Sequence, residues 1–370
     1  MSYSAWVPIN RIYTILGAKK YFLLPNCTRV HKNYIFAIHA SVEMKRITIK
    51  DIAFALELHH STVSRALRND NAINADTKKR VLAYAKKHGY LINRNALQLR
   101  GNASNVIGVI VPNIHHNFFS NIISYITNYS FKKGFIVSVF QSNESISQEK
   151  EIINAVLQNN MSGVIASLSM ETVDAGHFKL LDDYHIPLVL FDRVDKKLNV
   201  PTVTINNSGA VEQVVNKLVE KGYSRIAYLS GKTSVILYHE RHKGYDAGIG
   251  KNKLAYMRVI DSFDGLNIEN GIQLTRLLLG ETTVPDAIIC DSHLLMQGVY
   301  SELKRQNKQI ALATFGGYLG LSEVYPGVTF IQQPEKEIAE ATFNLLFDCI
   351  NNKNINCNLM KEFEVQIIEN

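Results

Sequence analysis

The chain lacks any long hydrophobic run among its 370 residues. A helix that spans a bilayer needs roughly 18 consecutive apolar residues, and no segment approaches that length. The apolar runs near the amino terminus, YFLL and YIFAIHA, are too short or too interrupted to form the core of an export signal. The sequence therefore predicts a cytoplasmic protein without a membrane partner.

Cysteine is scarce, and the spacing of the cysteines is not that of a metal site or a disulfide framework. Cys27, Cys290, Cys349 and Cys357 lie far apart, and no two of them form a CxxC pair. This spacing indicates neither a zinc site nor a disulfide framework, so we expect reduced, buried thiols and no metal.

Motifs that bind phosphate or hold a nucleophile are also missing. No GxGxxG, Walker A or nucleophile-elbow sequence appears where an enzyme on a doubly wound fold would need it. We therefore expect no catalytic residue, no cofactor and no enzymatic activity.

Positive charge is concentrated near the amino terminus. Residues 1–43 hold five Lys and Arg against one acid, and residues 44–105 hold twelve against four. Residues 106–370 hold 23 against 28, which leaves the formal net charge of the whole chain at +7. A basic block of net charge +8 attached to a mildly acidic body indicates a nucleic-acid partner, although solvated surface lysines would give a similar count.

The basic block has the pattern of three short helices. Thr48 and Asp51 have the spacing of a capping box, and apolar residues then recur on one face of a helix. A second helix runs to Arg68, with Val63 and Ala66 directed inward. A third follows the N-cap residue Asn74 and ends before a glycine. Two short helices with a tight link and a supporting third describe a helix-turn-helix domain.

From residue 104 onward, short β-rich runs alternate with helical stretches. The runs are almost continuously apolar, as expected for parallel strands that are covered on both faces. The predicted strands are NVIGVIVP, FIVSVFQS, GVIASL, PLVLFD, TVTIN, RIAYLSG, YMRVID, AIIC and IALATFG. The predicted helices include Asn121–Lys133, Gln148–Asn159, Gly209–Lys221, Asn270–Leu279, His293–Gln306 and Glu335–Asn351. This alternation predicts two doubly wound α/β subdomains, with ligands at the carboxyl ends of the strands.

The order and spacing of several motifs resemble the lactose/galactose-repressor (LacI/GalR) family. The amino-terminal motifs are ITIKDIAFALELHHSTVSRAL, NADTKKRVLAYAKKHGY, NALQLRG and VIGVIVPNIHHNFF. The later ones are IPLVLFDR, KGYSRIAYLSG, ERHKGYDAG, IENG and TFIQQPEKEIAEA. The resemblance covers nearly everything from Met44 to the end. It implies a helix-turn-helix domain followed by a periplasmic-binding-protein-like effector domain of two α/β subdomains. It also implies a homodimer, with a tetramer as the alternative, that binds operator DNA under the control of a small-molecule effector.

The resemblance also implies which residues contact DNA. The base-reading positions correspond to His60, Ser61 and Arg65, and a bidentate arginine–guanine contact suits the last of these. The phosphate-binding positions correspond to Thr48, Thr62, Ser64, Arg68, Asn74, Thr77 and Asn93. The adjacent histidines His59 and His60 project to different sides of a helix and are not expected to bind metal.

Residues 93–103 resemble the family's hinge helix. This segment has few apolar residues and should be marginal as an isolated helix. Ala96 and Leu99 match the minor-groove positions, and the leucine corresponds to the apolar wedge that kinks DNA. The alternative is that Leu99 packs on the protein core.

The effector-binding residues that the resemblance implies follow strand ends. Arg241 matches an arginine that grips ligand hydroxyls or a carboxylate, a role that suits its forked donors. The full set is Phe118, Phe119, Asp192, Arg193, Arg241, Asp291 and His293. His293 stands where the family usually has a carboxylate, which is missing or displaced to Asp291. The expected ligand is a sugar, a sugar acid or a sugar phosphate, with a ligand that is not a sugar as the alternative.

The sequence predicts four regions. Residues 1–43 show no family similarity and are interpreted as a non-native or disordered extension before Met44, with a basic arm that touches DNA as the alternative. Residues 44–92 form the helix-turn-helix domain, 93–103 the hinge and 104–370 the effector-binding and dimerisation domain. The favoured function is a repressor of a carbohydrate-related operon, and a periplasmic-type sugar-binding protein is the alternative.

Overall fold

The computed structural model describes residues 47–67, 69–90, 104–262, 265–316, 321–351 and 359–369. The chain divides into two compact units, Met1–Ile92 and Asn93–Asn370. The predictions for the extension 1–43 and the hinge 93–103 lie outside the described residues. So do those for Arg68, Asn93, Ala96 and Leu99.

Three helices make up the described part of the first unit, as the sequence predicted. They are α1 (Ile49–Leu56), α2 (His60–Leu67) and α3 (Ala75–Lys87). The capping box forms, because the Thr48 amide donates to Asp51 at 2.8 Å and the Asp51 amide donates to the Thr48 hydroxyl. The Asn74 side chain caps α3 by accepting from the amide of Asp76 at 2.9 Å. These caps satisfy amides that the first helical turn leaves without a partner.

A small apolar core holds the three helices together. Ile52, Val63, Ala66 and Val81 are fully buried, one or two from each helix. The link between α1 and α2 turns sharply at Glu57, whose φ of 55° lies in the left-handed region. A residue with a side chain adopts this region at a cost of about 1 kcal/mol. The turn is therefore set by tertiary packing rather than by a glycine.

The second unit contains two six-stranded sheets. Sheet A has the order β11-β5-β4-β3-β1-β2, and sheet B has the order β12-β10-β9-β8-β6-β7. The strands of sheet A are β1 (Val106–Val111), β2 (Ile136–Gln141), β3 (Gly163–Ala166), β4 (Leu188–Phe191), β5 (Thr202–Ile205) and β11 (Met360–Phe363). Those of sheet B are β6 (Ile226–Ser230), β7 (Arg258–Asp261), β8 (Ala287–Cys290), β9 (Ala311–Phe315), β10 (Val328–Gln332) and β12 (Gln366–Ile368). Every described pairing is parallel except that of β10 with β12, so the doubly wound architecture is confirmed.

Helices cover both faces of each sheet. They are α4 (Asn117–Lys132), α5 (Ile146–Gln158), α6 (Lys179–Asp183), α7 (Asn207–Glu220), α8 (Ile236–Lys251), α9 (Ile268–Leu279), α10 (His293–Arg305), α11 (Leu321–Val324) and α12 (Glu335–Asn351). The chain passes between the sheets three times: through α7, through α12 and between β11 and β12. These crossings join two subdomains, one built on each sheet.

The nine predicted strands all form, and three further strands were missed. The segment of β10 was recognised only as part of a family motif, whereas β11 and β12 are short edge strands with exposed polar residues. Among the helices, α8 was missed because residues on several sides of it are buried, so its apolar residues form no single stripe. Helix α4 begins at Asn117 rather than Asn121, which places Phe118 and Phe119 in its first turn.

Helices α7 and α8 approach closely at a glycine. A Cβ atom added to Gly244 of α8 would overlap the carbonyl oxygen of Ser208 in α7. Gly250, further along the same helix, has no heavy atom within 4 Å of the corresponding position. The first glycine is therefore required by packing and the second is not.

We expect opposite effects on stability from alanine at these two positions. Gly244→Ala should lower the free energy of unfolding by about 1–3 kcal/mol, because backbone oxygen cannot move aside as a side chain can. Gly250→Ala should raise it by about 0.5–1 kcal/mol, because alanine favours a helix. Urea denaturation of the two variants measures the difference, and equal effects would contradict the role of packing at Gly244.

Candidate functional site

The outward face of α2 presents the predicted base-reading residues. His60, Ser61 and Arg65 are exposed, whereas Val63 and Ala66 on the opposite face are buried. The Arg65 guanidinium lies 3.9 Å from the carboxylate of Asp70, in an ion pair that is exposed on both sides. Such a pair contributes little, so the guanidinium can leave it for a stronger partner.

The predicted phosphate-contacting residues that the structure describes lie in the three helices or directly before them. Thr48 and Asn74 cap α1 and α3, so they stand at helix amino termini, where backbone amides favour anions. Thr62 and Ser64 belong to α2 and Thr77 to the first turn of α3, and these three side chains are partly exposed. The contacts with DNA stay predictions.

A cleft lies between the two subdomains of the second unit. It encloses about 460 Å³, including open solvent at its mouth. Its walls come from residues at or after the carboxyl ends of β1, β4, β6, β7, β8, β9 and β10, as expected for this class of sheet. The lining residues are His116, Phe118, Phe119, Asp192, Arg193, Leu237, Tyr238, Arg241, Leu266, Asp291, Ser292, His293, Phe315, Gly316 and Gln333.

The cleft brings together all seven predicted effector-binding residues. They come from both subdomains: Phe118, Phe119, Asp192 and Arg193 from the first, and Arg241, Asp291 and His293 from the second. Their contacts with a ligand stay predictions.

The Arg241 guanidinium is held in place on several sides. Its Nη1 donates to the Asp291 carboxylate at 3.0 Å, and its Nε donates to the Asn207 side-chain oxygen at 2.9 Å. The guanidinium carbon lies 3.4 Å from the centre of the Phe315 ring, so the arginine stacks on it. Only 4% of Arg241 is exposed. Its orientation toward the cleft is therefore fixed by the protein.

Asp291 is committed to the protein on both oxygens. The Tyr228 hydroxyl donates to one oxygen at 2.6 Å, next to Arg241, and the Ser230 hydroxyl and Gly231 amide donate to the other. The displaced carboxylate that the sequence offered for ligand hydroxyls thus accepts four protein donors. In this arrangement it orients Arg241. Burial and the neighbouring carboxylate raise the pKa of Tyr228 well above its usual value.

Arg193 connects the two subdomains. Its Nη1 donates to Glu144 at 2.7 and 3.0 Å, within the first subdomain, and its Nη2 donates to the Tyr238 hydroxyl at 3.0 Å, on α8 of the second. Glu144 also accepts from the amide of Met170 at 2.8 Å. The φ angles of Glu144 and Asp192 are 61° and 59°, so two strained residues adjoin this bridge.

Burial favours the neutral form of other titratable side chains in the cleft. It raises the pKa of Asp192, against the attraction of Arg193 and Arg241. Burial lowers the pKa of His293, and burial together with His293 and Arg193 lowers the pKa of His116 to about 4. The two imidazole rings are 5.9 Å apart and nearly perpendicular. Both histidines are therefore neutral at pH 7.

The sequence pattern missed several residues of the cleft. Tyr238 lies in the helix that was not predicted, and Gln333 follows the unpredicted strand β10. Phe315 and Gly316 end the predicted strand IALATFG, so the rule that ligands bind at strand ends could have found them.

Neither a metal centre nor a membrane span appears in the part of the chain that the structure describes. Among those residues, no three His, Cys, Asp or Glu side chains are grouped to hold a metal ion. No described helix is both long and apolar enough to cross a bilayer. Cys290 is buried and Cys349 is partly buried.

Removal of the Tyr238 hydroxyl tests the bridge between the subdomains. Tyr238→Phe keeps the ring but removes a buried hydrogen bond to a charged group, so the free energy of unfolding should fall by about 1.5–3 kcal/mol. Tyr184 is 64% exposed, and Tyr184→Phe should change stability little. Denaturant titration compares the two, and equal stabilities would show that the bridge contributes nothing.

The low pKa of His116 predicts a pH dependence of stability. The unfolded chain binds a proton near pH 6.5 and the folded chain near pH 4, so stability is lost as the pH falls through this window. His116→Asn should remove this component, which is on the order of 2 kcal/mol at pH 4. His115→Asn changes an exposed neighbour and serves as the control. A difference between wild type and His116→Asn that does not vary between pH 7 and pH 4 would contradict the assignment.

Comparison with known proteins identifies both units. Residues 48–93 match the model of bacterial regulatory proteins of the lacI family. Residues 104–355 match that of periplasmic binding proteins and the sugar binding domain of the LacI family. The HTH-type transcriptional repressor CytR of Escherichia coli (strain K12) is 29% identical over 81% of this chain and 89% of its own length.

One further relative and one solved structure are also similar to this chain. The HTH-type transcriptional regulator RegA of Clostridium saccharobutylicum is 25% identical over 83% of this chain and 94% of its own. The lac repressor dimer bound to operator and the anti-inducer ONPF shares the fold, with a TM-score of 0.76 and 20% identity over 88% of this chain and 98% of that one. With the second family model matching more than half of the residues, the chain belongs to the LacI family of bacterial transcription regulators.

Proposed function

We propose that this regulator is a repressor whose affinity for operator DNA depends on a small molecule bound in the cleft. The observation that carries the proposal is the presence, in one chain, of an exposed polar reading helix and a cleft lined from two subdomains. A periplasmic-type binding protein would have the second feature without the first. The relatives are regulators of transcription, which supports our proposal that the protein is not an enzyme and acts in the cytoplasm, on the nucleoid.

The cleft supports coupling because its walls belong to different subdomains. A ligand that touches both walls stabilises the relative placement of the subdomains that it fits. The shift in population between two such placements is set by the difference in the ligand's affinity for them. The bridge from Arg193 to Tyr238 crosses between the same walls. Ligand binding and the placement of the subdomains are therefore linked at one point.

The chemistry of the walls supports a hydroxylated ligand with an apolar face. Phe118, Phe119 and Phe315 offer ring surfaces, and Gln333, His116 and His293 offer polar atoms beside them. Arginine edges can bind hydroxyls, carboxylates or phosphates, so the ligand is a sugar, a sugar acid or a sugar phosphate.

We also propose that the chain acts as a homodimer, with a tetramer as the alternative. Large apolar side chains are exposed in β2, in the residues that flank β7, and in the helices that adjoin these two edge strands in the chain. They are Phe131, Ile136 and Val139 near β2, and Met257, Ile268 and Leu277 near β7. The related lac repressor was crystallised as a dimer on its operator. Two copies would place two reading helices on one DNA site.

DNA binding is tested by its dependence on salt and on Arg65. The logarithm of the association constant should fall linearly with the logarithm of salt concentration, with a slope of several units, because bound lysines and arginines release counterions. Arg65→Ala should weaken binding to a selected operator roughly 5- to 150-fold, the effect of losing one bidentate base contact.

Lys150→Ala, on the surface of the second unit, is the control and should leave binding unchanged. Fluorescence anisotropy with labelled duplexes measures both quantities. A binding constant independent of salt, or equal losses in the two variants, would refute the proposal.

A further inference from the structure

The amino terminus of α2 is capped by an imidazole. The carbonyl oxygen of His59 accepts from the amides of Thr62 at 2.9 Å and Val63 at 3.2 Å, so His59 is the N-cap residue. Its Nδ1 lies 3.4 Å from the amide nitrogen of Ser61, which donates to it. The ring therefore does what a hydroxyl or carboxylate oxygen does at an N-cap: it satisfies an amide of the first helical turn.

The same Nδ1 atom also contacts the hydroxyl of Ser61, at 2.8 Å. A neutral imidazole has one nitrogen that donates and one that accepts. Because the Ser61 amide donates to Nδ1, this nitrogen is the acceptor and the ring proton is on Nε2. The Ser61 hydroxyl must then donate its only proton to Nδ1 as well.

We infer that His59 makes Ser61 an acceptor toward DNA, so that Ser61 recognises an amino group on a base edge. With its proton directed at His59, the hydroxyl oxygen has only lone pairs to offer. In the major groove adenine presents N6 and cytosine N4 as donors, whereas thymine and guanine present acceptors at the corresponding position. Ser61 therefore favours adenine or cytosine on the strand that it faces. The inference rests on the proposed DNA-binding function.

A serine without such a partner has no fixed preference. Its hydroxyl turns freely and can donate or accept, so it contacts either kind of base. His59 itself is a positioning residue: it acts through Ser61 and sets the direction of one proton. The centre of the His60 ring lies 4.1 Å from that of the His59 ring, with the planes tilted by 44°, and this contact further restricts the imidazole. The expectation that the two histidines project to different sides was therefore wrong.

The test measures base preference for the full chain and its variants. A duplex selected from a random pool by the wild-type protein is changed to each base pair at every position, and relative affinities are measured. The position at which Ser61→Ala loses its preference is the one that Ser61 reads. There the wild type should favour adenine or cytosine on one strand over thymine or guanine by roughly 5- to 150-fold, because an acceptor that faces another acceptor leaves both without a hydrogen bond.

Two substitutions of His59 separate positioning from capping. His59→Gly removes the acceptor but keeps a residue that is tolerated at an N-cap, so the helix should persist. It should reduce the base preference at the position that Ser61 reads to below about threefold. The base preference at the position that Arg65→Ala identifies should stay unchanged. His59→Asn restores an acceptor oxygen at the cap and should restore the preference. His88→Ala changes an exposed histidine of the same unit and is the control.

The outcomes are distinct. If the wild type selects no duplex, the proposed function fails. If it selects one but the Ser61 position favours thymine or guanine, or if His59→Gly weakens all base pairs equally, the inference about His59 is overturned. It is likewise overturned if His59→Asn behaves like His59→Gly.

Discussion

The buried pair of Arg241 and Asp291 is the interaction on which the cleft depends. Both side chains are almost completely removed from solvent, and a charge in that position is tolerated only when it is paired and hydrogen-bonded. Tyr228, Ser230 and Gly231 donate hydrogen bonds to the carboxylate. The guanidinium donates to Asn207 and stacks on the Phe315 ring. Loss of either charged partner would leave the other uncompensated, at a cost of about 3–5 kcal/mol.

The two arginines of the cleft differ in the subdomains to which their partners belong. The Arg241 contacts join α8 to Asp291, after β8 of sheet B, and to Asn207, two residues after β5 of sheet A. The Arg193 contacts reach Glu144 on one side and Tyr238 on the other, so relative movement must stretch or break them. The ion pair of Arg241 thus lies within the second subdomain and that of Arg193 within the first, and the bond from Arg193 to Tyr238 crosses between them.

The sequence predicted the architecture well because strands and caps depend on local pattern. The capping box at Thr48 and the nine apolar strands follow from residues close together in the chain, and both form. The strand-end rule, together with the family resemblance, also brought seven cleft residues to one place. Helix α8 was not predicted because its residues are buried on several sides. Its sequence therefore lacks the apolar periodicity on which such predictions rely.

The partners of the charged residues could not be predicted from the sequence. Asp291 was expected to be available to a ligand, but the donors that surround it come from β6 and α8, about 50 to 60 residues away in the chain. The link between Arg193 and Tyr238 likewise depends on how two subdomains meet. Such contacts are tertiary, and no local pattern encodes them.

The strands β11 and β12 determine when the two sheets of the second unit can be completed. One completes the edge of sheet A and the other the edge of sheet B, although both follow every other element in the chain. Neither subdomain is thus a continuous stretch of sequence. Residues 1–358 would supply two sheets that each still lack an edge strand. A truncation before Met360 would therefore remove an edge strand from both sheets at once.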